Sequence, residues 1–183
     1  STPKPSSAAS DVYKRQQMTE TYHTTISTAL GYMRAISNGK AMIRLDWDQT
    51  APIGADRPDD VSRETIRQLE AYLDGRLKKF ELPLNADGKT TAGHEWLQTM
   101  FRIPYGQVVT YAEFANMAGK PKAARAAGTA CSSNPIPIIY PCHRVVRADN
   151  SLGNYGGGSD LHPTHAENLD RKRFLIELEA RNS

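Results

Sequence analysis

Cysteine is scarce in this 183-residue chain: Cys131 and Cys142 are its only two, which excludes a disulfide framework and a cysteine-rich zinc site. Long apolar runs are missing as well. No stretch approaches the roughly 18 to 20 apolar residues of a membrane-spanning helix, and there is no apolar signal-peptide core, so an intracellular protein with no membrane partner is expected. A large excess of one charge is also absent. Twenty-three Lys+Arg against twenty Asp+Glu leave a formal net charge of +3, too little for a histone-like protein but compatible with a phosphate-bearing partner. What remains, 39% hydrophobic and 23% charged residues, describes a globular chain long enough to bury a core in one or two domains.

Ser1 to Gln17 mixes Ser, Pro, Ala and Lys without apolar periodicity and is read as a disordered or non-native leader before Met18. TYHTTIST from Tyr22 reads as a strand. Tyr32 to Trp47 holds two β-compatible runs around Asn38-Gly39, a hairpin signal, so an antiparallel sheet is expected. Val61 to Leu77 places Ile66, Leu69, Leu73 and Leu77 at helical spacing behind Asp59 and Asp60. The Pro-, Gly- and Thr-rich stretch that follows puts a domain division near Leu84 to Thr91.

Beyond it, His94 to Arg102 reads as a helix. Thr110-Tyr111-Ala112-Glu113 has the form of a capping box, which starts another helix at Tyr111. Gly119-Lys120-Pro121 stops it, and Lys122 to Cys131 (KAARAAGTAC) gives a second short helix with six Ala or Gly. Two short helices across a Gly-containing turn suggest a helix-turn-helix, although two packed core helices would leave the same pattern. From Arg102 to Arg147 six Lys/Arg face one acid, Glu113, so the positive charge is concentrated where these helices are.

The run SSNPIPIIYPCHRVV follows. Cys142 is flanked by His143 and Arg144, neighbours that favour a nucleophilic thiolate, whereas Cys131 sits among Ala and Ser with no base nearby and is read as structural. If Cys142 and His143 lie in extended backbone they point to opposite faces, and a bridging water is then needed between them.

NPIPIIYPCHRVV, with KAARAAG before it and GNYGGG at Gly153 to Gly158 after it, resembles the O6-alkylguanine-DNA alkyltransferases, the methylated-DNA-protein-cysteine methyltransferases. The resemblance is continuous from about Phe101 to Gly158, resumes at Arg171 to Glu179, and is strongest at PCHRV; the N-terminal half agrees only in layout. It implies an α/β plus mostly-α protein, with an N-terminal ribonuclease H-like sheet-and-helix domain at residues 18–88. A C-terminal helical domain at residues 89–183 would carry a helix-turn-helix and the reactive cysteine. The implied activity is stoichiometric repair: the nucleotide is flipped out of double-stranded DNA and its alkyl group passes irreversibly to Cys142. No cofactor is implied, and the expected protein is a monomer before it meets DNA, cytoplasmic or, in a eukaryote, nuclear.

The resemblance also assigns roles. His143 is the base acting through water, and an acid on the last helix orients it, by register Glu179, with Glu177 as the alternative. Tyr111 helps rotate the nucleotide and donates a proton to the guanine oxygen. Asn134 bonds across the turn between the recognition helix and the active-site segment. Arg125 is the finger inserted into the base stack, while Ala126, Ala127 and Thr129 allow close approach to the minor groove. Pro137, Tyr155, Gly156 and Gly157 wall the substrate pocket.

Two features depart from the pattern. Several family members have Ser where Gly156 stands. The connection SDLHPTHAENLD between Gly158 and Arg171 is long, and its His162 and His165 lack the partners a metal would need. A lesion sensor without chemistry is the alternative from another class, but relatives of that kind lack the cysteine in PCHR. A cysteine hydrolase is the third reading, and the sequence has no separate oxyanion signature for it.

Overall fold

The computed structural model describes residues 20–48 and 54–183; the leader expected at residues 1–17 lies outside them. Strands β1 (Tyr22–Thr28), β2 (Gly31–Ser37) and β3 (Met42–Asp48) form an antiparallel sheet in the order β1-β2-β3. The Asn38-Gly39 signal marks a turn over residues 38–41, longer than a two-residue hairpin loop. The Asn38 side-chain oxygen accepts from the Lys40 and Ala41 amides at 3.0 and 2.9 Å, and Gly39 supplies the positive φ of 87°. Alternation puts Met33, Ala35, Leu45 and Trp47 inward.

Helix α1 (Asp60–Leu73) packs on this sheet through Ile66, Leu69 and Tyr72. Asp59 and Ser62 form a reciprocal capping box at its start. It ends at Leu73 rather than Leu77, because Gly75 takes φ 75° and turns the chain, although Leu77 still packs against the core. Residues 83–87 then run beside β3: Met42 donates to the Pro83 carbonyl, and Asn85 and Asp87 donate back to Met42 and Ile43.

The C-terminal half contains α2 (Thr91–Phe101), α3 (Tyr111–Met117), α4 (Ala124–Ser132) and α5 (Ala166–Asn182). The capping box at Thr110 and Glu113 forms as the sequence predicts, with Glu113 N–H to Thr110 Oγ1 at 3.1 Å. Two short parallel strands, β4 (Val109–Thr110) and β5 (Val145–Val146), pair Val109 with Val145 and Thr110 with Val146. That pairing brings the start of α3, and so Tyr111, beside the PCHRV segment. Helix α5 begins five residues before the expected Arg171, so five of the twelve residues of the long connection are helical.

The halves share one hydrophobic cluster and are also joined by backbone. Leu45 N–H donates to Pro135 at 2.8 Å and Trp47 N–H to Gly158 at 2.7 Å, so the edge of β3 holds both the Asn134 turn and the glycine-rich loop. Arg171 adds a clasp, its guanidinium 4.6 Å from the Trp47 ring centre and its Nε donating to Leu30 O at 3.1 Å.

Candidate active site

Between Asn134 and Pro141 the chain folds on itself. Tyr140 N–H reaches Ile136 O at 3.0 Å, Ile139 N–H reaches Pro137 O at 2.9 Å, and buried Ile138 is held at φ 70°, a region β-branched residues avoid. Such a conformation costs on the order of 1–3 kcal/mol and persists because its surroundings over-determine it. The expectation of extended backbone at Cys142 and His143 is corrected here: Cys142–Arg144 is a turn of 3₁₀ helix. Pro141 fixes φ at its start, and Cys142 N–H closes onto Tyr140 O at 2.8 Å.

Cys142 is 2% exposed. The Asn134 amide donates to its Sγ at 3.2 Å and to Tyr140 O at 2.8 Å, while the Asn134 oxygen accepts from Ile136 N–H at 3.0 Å. Asn134 thus holds the turn and the sulfur together. Burial pushes the Cys142 thiol up; the Asn134 hydrogen bond, the Lys172 charge and the backbone amides of Cys142 and His143 oppose that.

His143 is fully buried. Its Nε2 lies 2.8 Å from Glu179 Oε2, and Tyr72 Oη is 3.4 Å from the same nitrogen. Arg144 Nε donates to Glu179 Oε1 at 2.7 Å, and Arg144 Nη1 donates to Ile103 O. The carboxylate fixes the imidazole with its proton on Nε2, which leaves Nδ1 as the lone pair. That Nδ1 is buried without a hydrogen-bond partner. Burial lowers the His143 pKa and Glu179 works against it; burial raises that of Glu179, but hydrogen bonds from His143 and Arg144 outweigh it and hold the carboxyl low. Glu177 is exposed, so the register choice falls on Glu179.

Lys172, one helical turn nearer the start of α5 than Leu175, is fully buried and donates to Val145 O at 2.7 Å, to Asn154 O at 3.1 Å and to Leu152 O. Burial pushes its ammonium down to about 8, against the pull of the two cysteines. Sequence reasoning missed Lys172, Arg144 as a clamp on Glu179, and Tyr72. The first could have been suspected from a lysine on the inward stripe of an amphipathic helix; nothing local announces the other two.

A cleft of about 430 Å³ opens beside this cluster, lined among others by Tyr111, Arg125, Thr129, Cys131, Arg147 and Asn154. It unites Tyr111, Arg125 and Thr129, and its wall carries Cys131 and not Cys142. Burial, with Cys131 and Cys142 nearby, pushes the Tyr111 hydroxyl up to about 12, so it keeps its proton at neutral pH. Arg125 and Ala126 are exposed on α4. Ala127 is not: it is 0% exposed, on the same face as Cys131 four residues later, so its small side chain serves packing inside the domain and the expected DNA contact is corrected.

The four expected pocket residues lie elsewhere than on this cleft. Pro137 is buried against Gly158, and Tyr155 is buried with its hydroxyl unpaired. A side chain at Gly157 would come within 2.6 Å of the Asn134 carbonyl. One at Gly156 would come within 2.8 Å of the Pro163 ring, and Tyr155 N–H donates to Pro163 O at 2.9 Å, so the long connection folds back onto the glycine loop. His162 pairs with Thr164 and His165 caps α5. Among the described residues no group of three His, Cys, Asp or Glu is placed to hold a metal ion, and no helix is long and apolar enough to cross a membrane.

Residues 93–181 match the family model described as 6-O-methylguanine DNA methyltransferase, DNA binding domain, and residues 21–86 match the one described as 6-O-methylguanine DNA methyltransferase, ribonuclease-like domain. The chain is 38% identical over 166 residues to a methylated-DNA–protein-cysteine methyltransferase of Methanosarcina barkeri, covering 88% of this chain and 98% of that one. It is 34% identical over 168 residues to the protein so named in Haemophilus influenzae, covering 88% of each. Among solved structures, Mycobacterium tuberculosis O6-methylguanine methyltransferase superposes with a TM-score of 0.73 at 34% identity, over 90% of this chain and 95% of that one. A structure of the Mycobacterium tuberculosis protein in complex with DNA gives 0.73 at 33% identity, over 88% and 94%.

Proposed function

The chain belongs to the 6-O-methylguanine DNA methyltransferase family, and on that premise we propose that it repairs O6-alkylguanine in double-stranded DNA by taking the alkyl group onto Cys142. The observation that carries the reading is the buried series Arg144, Glu179, His143, which leaves Nδ1 without a partner one residue from the thiol.

In this mechanism Nδ1 takes the Cys142 proton through a bridging water. The thiolate then attacks the alkyl carbon in line, the carbon–oxygen bond breaks, and its electron pair passes to the guanine. Tyr111 donates the proton that the departing guanine oxygen requires and recovers one from the imidazolium through solvent. The products are guanine and a thioether. A thioether is a poor leaving group, so each protein molecule acts once.

An alkylated O6 inside a duplex is out of reach of a buried sulfur, so the nucleotide must be flipped, at a cost of a few kcal/mol in lost stacking. Arg125, exposed on α4, fills the vacated space, while Ala126 and Thr129 allow the helix into the minor groove. Here α3 and α4 act as the helix-turn-helix of a C-terminal domain, residues 89–183, and residues 18–88 form a ribonuclease H-like domain. Tyr155, Gly156, Gly157 and Pro137 close around the flipped base once the loop moves. One chain supplies every group named, so a monomer suffices, and the substrate places it wherever the chromosome is: the cytoplasm, or the nucleus of a eukaryote.

The test is intact-protein mass after incubation with a duplex carrying O6-methylguanine, followed by peptide mapping. The expected result is a gain of one methylene unit on Cys142, saturating at one equivalent and absent from Cys142→Ala. Tight lesion binding without mass gain overturns the transfer and leaves a lesion sensor.

A further inference from the structure

We propose that Tyr72, a residue of the N-terminal half, is a positioning residue for the transfer: its hydroxyl oxygen is a second acceptor for His143 Nε2–H and helps hold the ring with Nδ1 left free to take a proton. The inference rests on the reading in which His143 is the base.

The geometry has three parts. Tyr72 Oη lies 3.4 Å from Nε2, longer than the 2.8 Å to Glu179, so it is the weaker of two acceptors sharing one donor. The Tyr72 ring is fully buried and locked between Phe80, with centroids 5.3 Å apart, and Tyr105, edge-on at 6.1 Å, so the oxygen is held in place by packing. Burial and the Glu179 charge keep the hydroxyl far from ionising, so it stays a neutral dipole and does not compete as a base.

The surroundings explain why a weak second acceptor matters. Four groups face the imidazole: Glu179 and Lys172 from α5, Arg144 from its own turn, and Tyr72 from α1. Burial, Arg144 and Lys172 all oppose the imidazolium that forms when Nδ1 takes the thiol proton; Glu179 and Tyr72 favour it. With one carboxylate set against burial and two cations, an extra oxygen on Nε2–H stabilises the charged ring and fixes which nitrogen is free. The N-terminal half thereby reaches the imidazole through one atom.

The decisive variant is Tyr72→Phe in the full chain, which keeps the ring and its packing. Three quantities are compared with wild type: the pH dependence of Cys142 alkylation by iodoacetamide, scored by peptide mapping; the transfer rate from an O6-methylguanine duplex; and the thermal midpoint. The expected result is an unchanged midpoint, a rising limb of Cys142 reactivity moved to higher pH, and transfer at neutral pH slowed about three- to tenfold, the scale of one hydrogen bond. ¹⁵N NMR of His143 should show a smaller fraction protonated on Nε2 alone. Tyr72→Leu serves as the packing control: if it moves the limb while Tyr72→Phe does not, the oxygen has no positioning role and the proposal falls. A limb unmoved in both variants overturns it as well. Because iodoacetamide needs no DNA, a wild type that fails to demethylate the duplex refutes the repair reading separately, and the limb still decides the role of Tyr72.

Discussion

Two thiols stand at either end of the segment from α4 to the 3₁₀ turn, and their surroundings differ more than their burial does. Cys131 is 6% exposed and Cys142 2%, and burial pushes both thiols up. Around Cys131 the opposing influence is the charge of Lys172. Around Cys142 there are also the Asn134 amide at 3.2 Å and two backbone N–H groups, with His143, whose Nδ1 has no hydrogen-bond partner, next in the chain. Burial by itself makes a cysteine inert; donors aimed at the sulfur and a base with a free lone pair make it a nucleophile.

The largest break in that comparison is removal of the sulfur proposed to react. Cys142→Ala should abolish mass gain from an alkylated duplex, while Cys131→Ala keeps one full equivalent; label on Cys131 in the first variant would show the two thiols to be interchangeable.

Next comes the carboxylate. Glu179→Gln leaves Arg144 buried beside a neutral group and His143 without its charge partner, so single-turnover transfer should slow about 10²-fold, the low end of what a positioned base contributes. Stability should fall by about 3 kcal/mol, as for other broken buried pairs, measured by urea titration. The sign with pH follows from the lowered pKa of Glu179: its stabilisation is present above its unfolded value and is lost as pH falls through the folded one. The acid limb of wild-type stability should therefore be steeper than that of the variant.

Asn134→Ala sharpens the comparison from the donor side. It removes the hydrogen bond to Sγ, which makes the Cys142 site resemble that of Cys131. Reactivity with iodoacetamide at pH 7 should drop about tenfold, with the rising limb moved to higher pH, the scale of a hydrogen bond to a charged group. An unmoved limb would leave Asn134 a purely structural clamp. The smallest effect belongs to Cys131→Val, which exchanges the buried thiol for a slightly larger apolar side chain on α4, and for which transfer within twofold of wild type is expected.

Local pattern carried much of this site into the sequence. The Thr110/Glu113 capping box and the Asn38-Gly39 turn rest on neighbours within a few residues, and each is legible for that reason; the weight placed on Cys142 over Cys131 came from its neighbours together with the family resemblance. The register of Glu179 came from a family resemblance rather than from spacing, and α5 delivers it to His143. Other features were hidden by sequence distance. Tyr72 meets a histidine 71 positions away, and β3 holds loops some 90 and 110 residues downstream, contacts that topology creates and no window of sequence contains. Ala127 misled for a different reason: α4 is small-sided nearly all round, so composition could not say which face was turned inward. The turn at Cys142 was hidden because Pro141 fixes its own φ and restricts Tyr140 before it, but leaves the residues after it free to curl.

The contact of Pro163 with Gly156 bears on how such loops can be inherited. The ring of Pro163 occupies the volume a side chain at position 156 would need, and the Tyr155 amide is tied to the same residue. Residue 156 and the length of the connection behind it are therefore a single character: glycine goes with the long path, and a serine in that place requires the chain to leave by another route. Chimeras that exchange one without the other should lose the loop's fit, whereas those that move residues 156–165 together keep it.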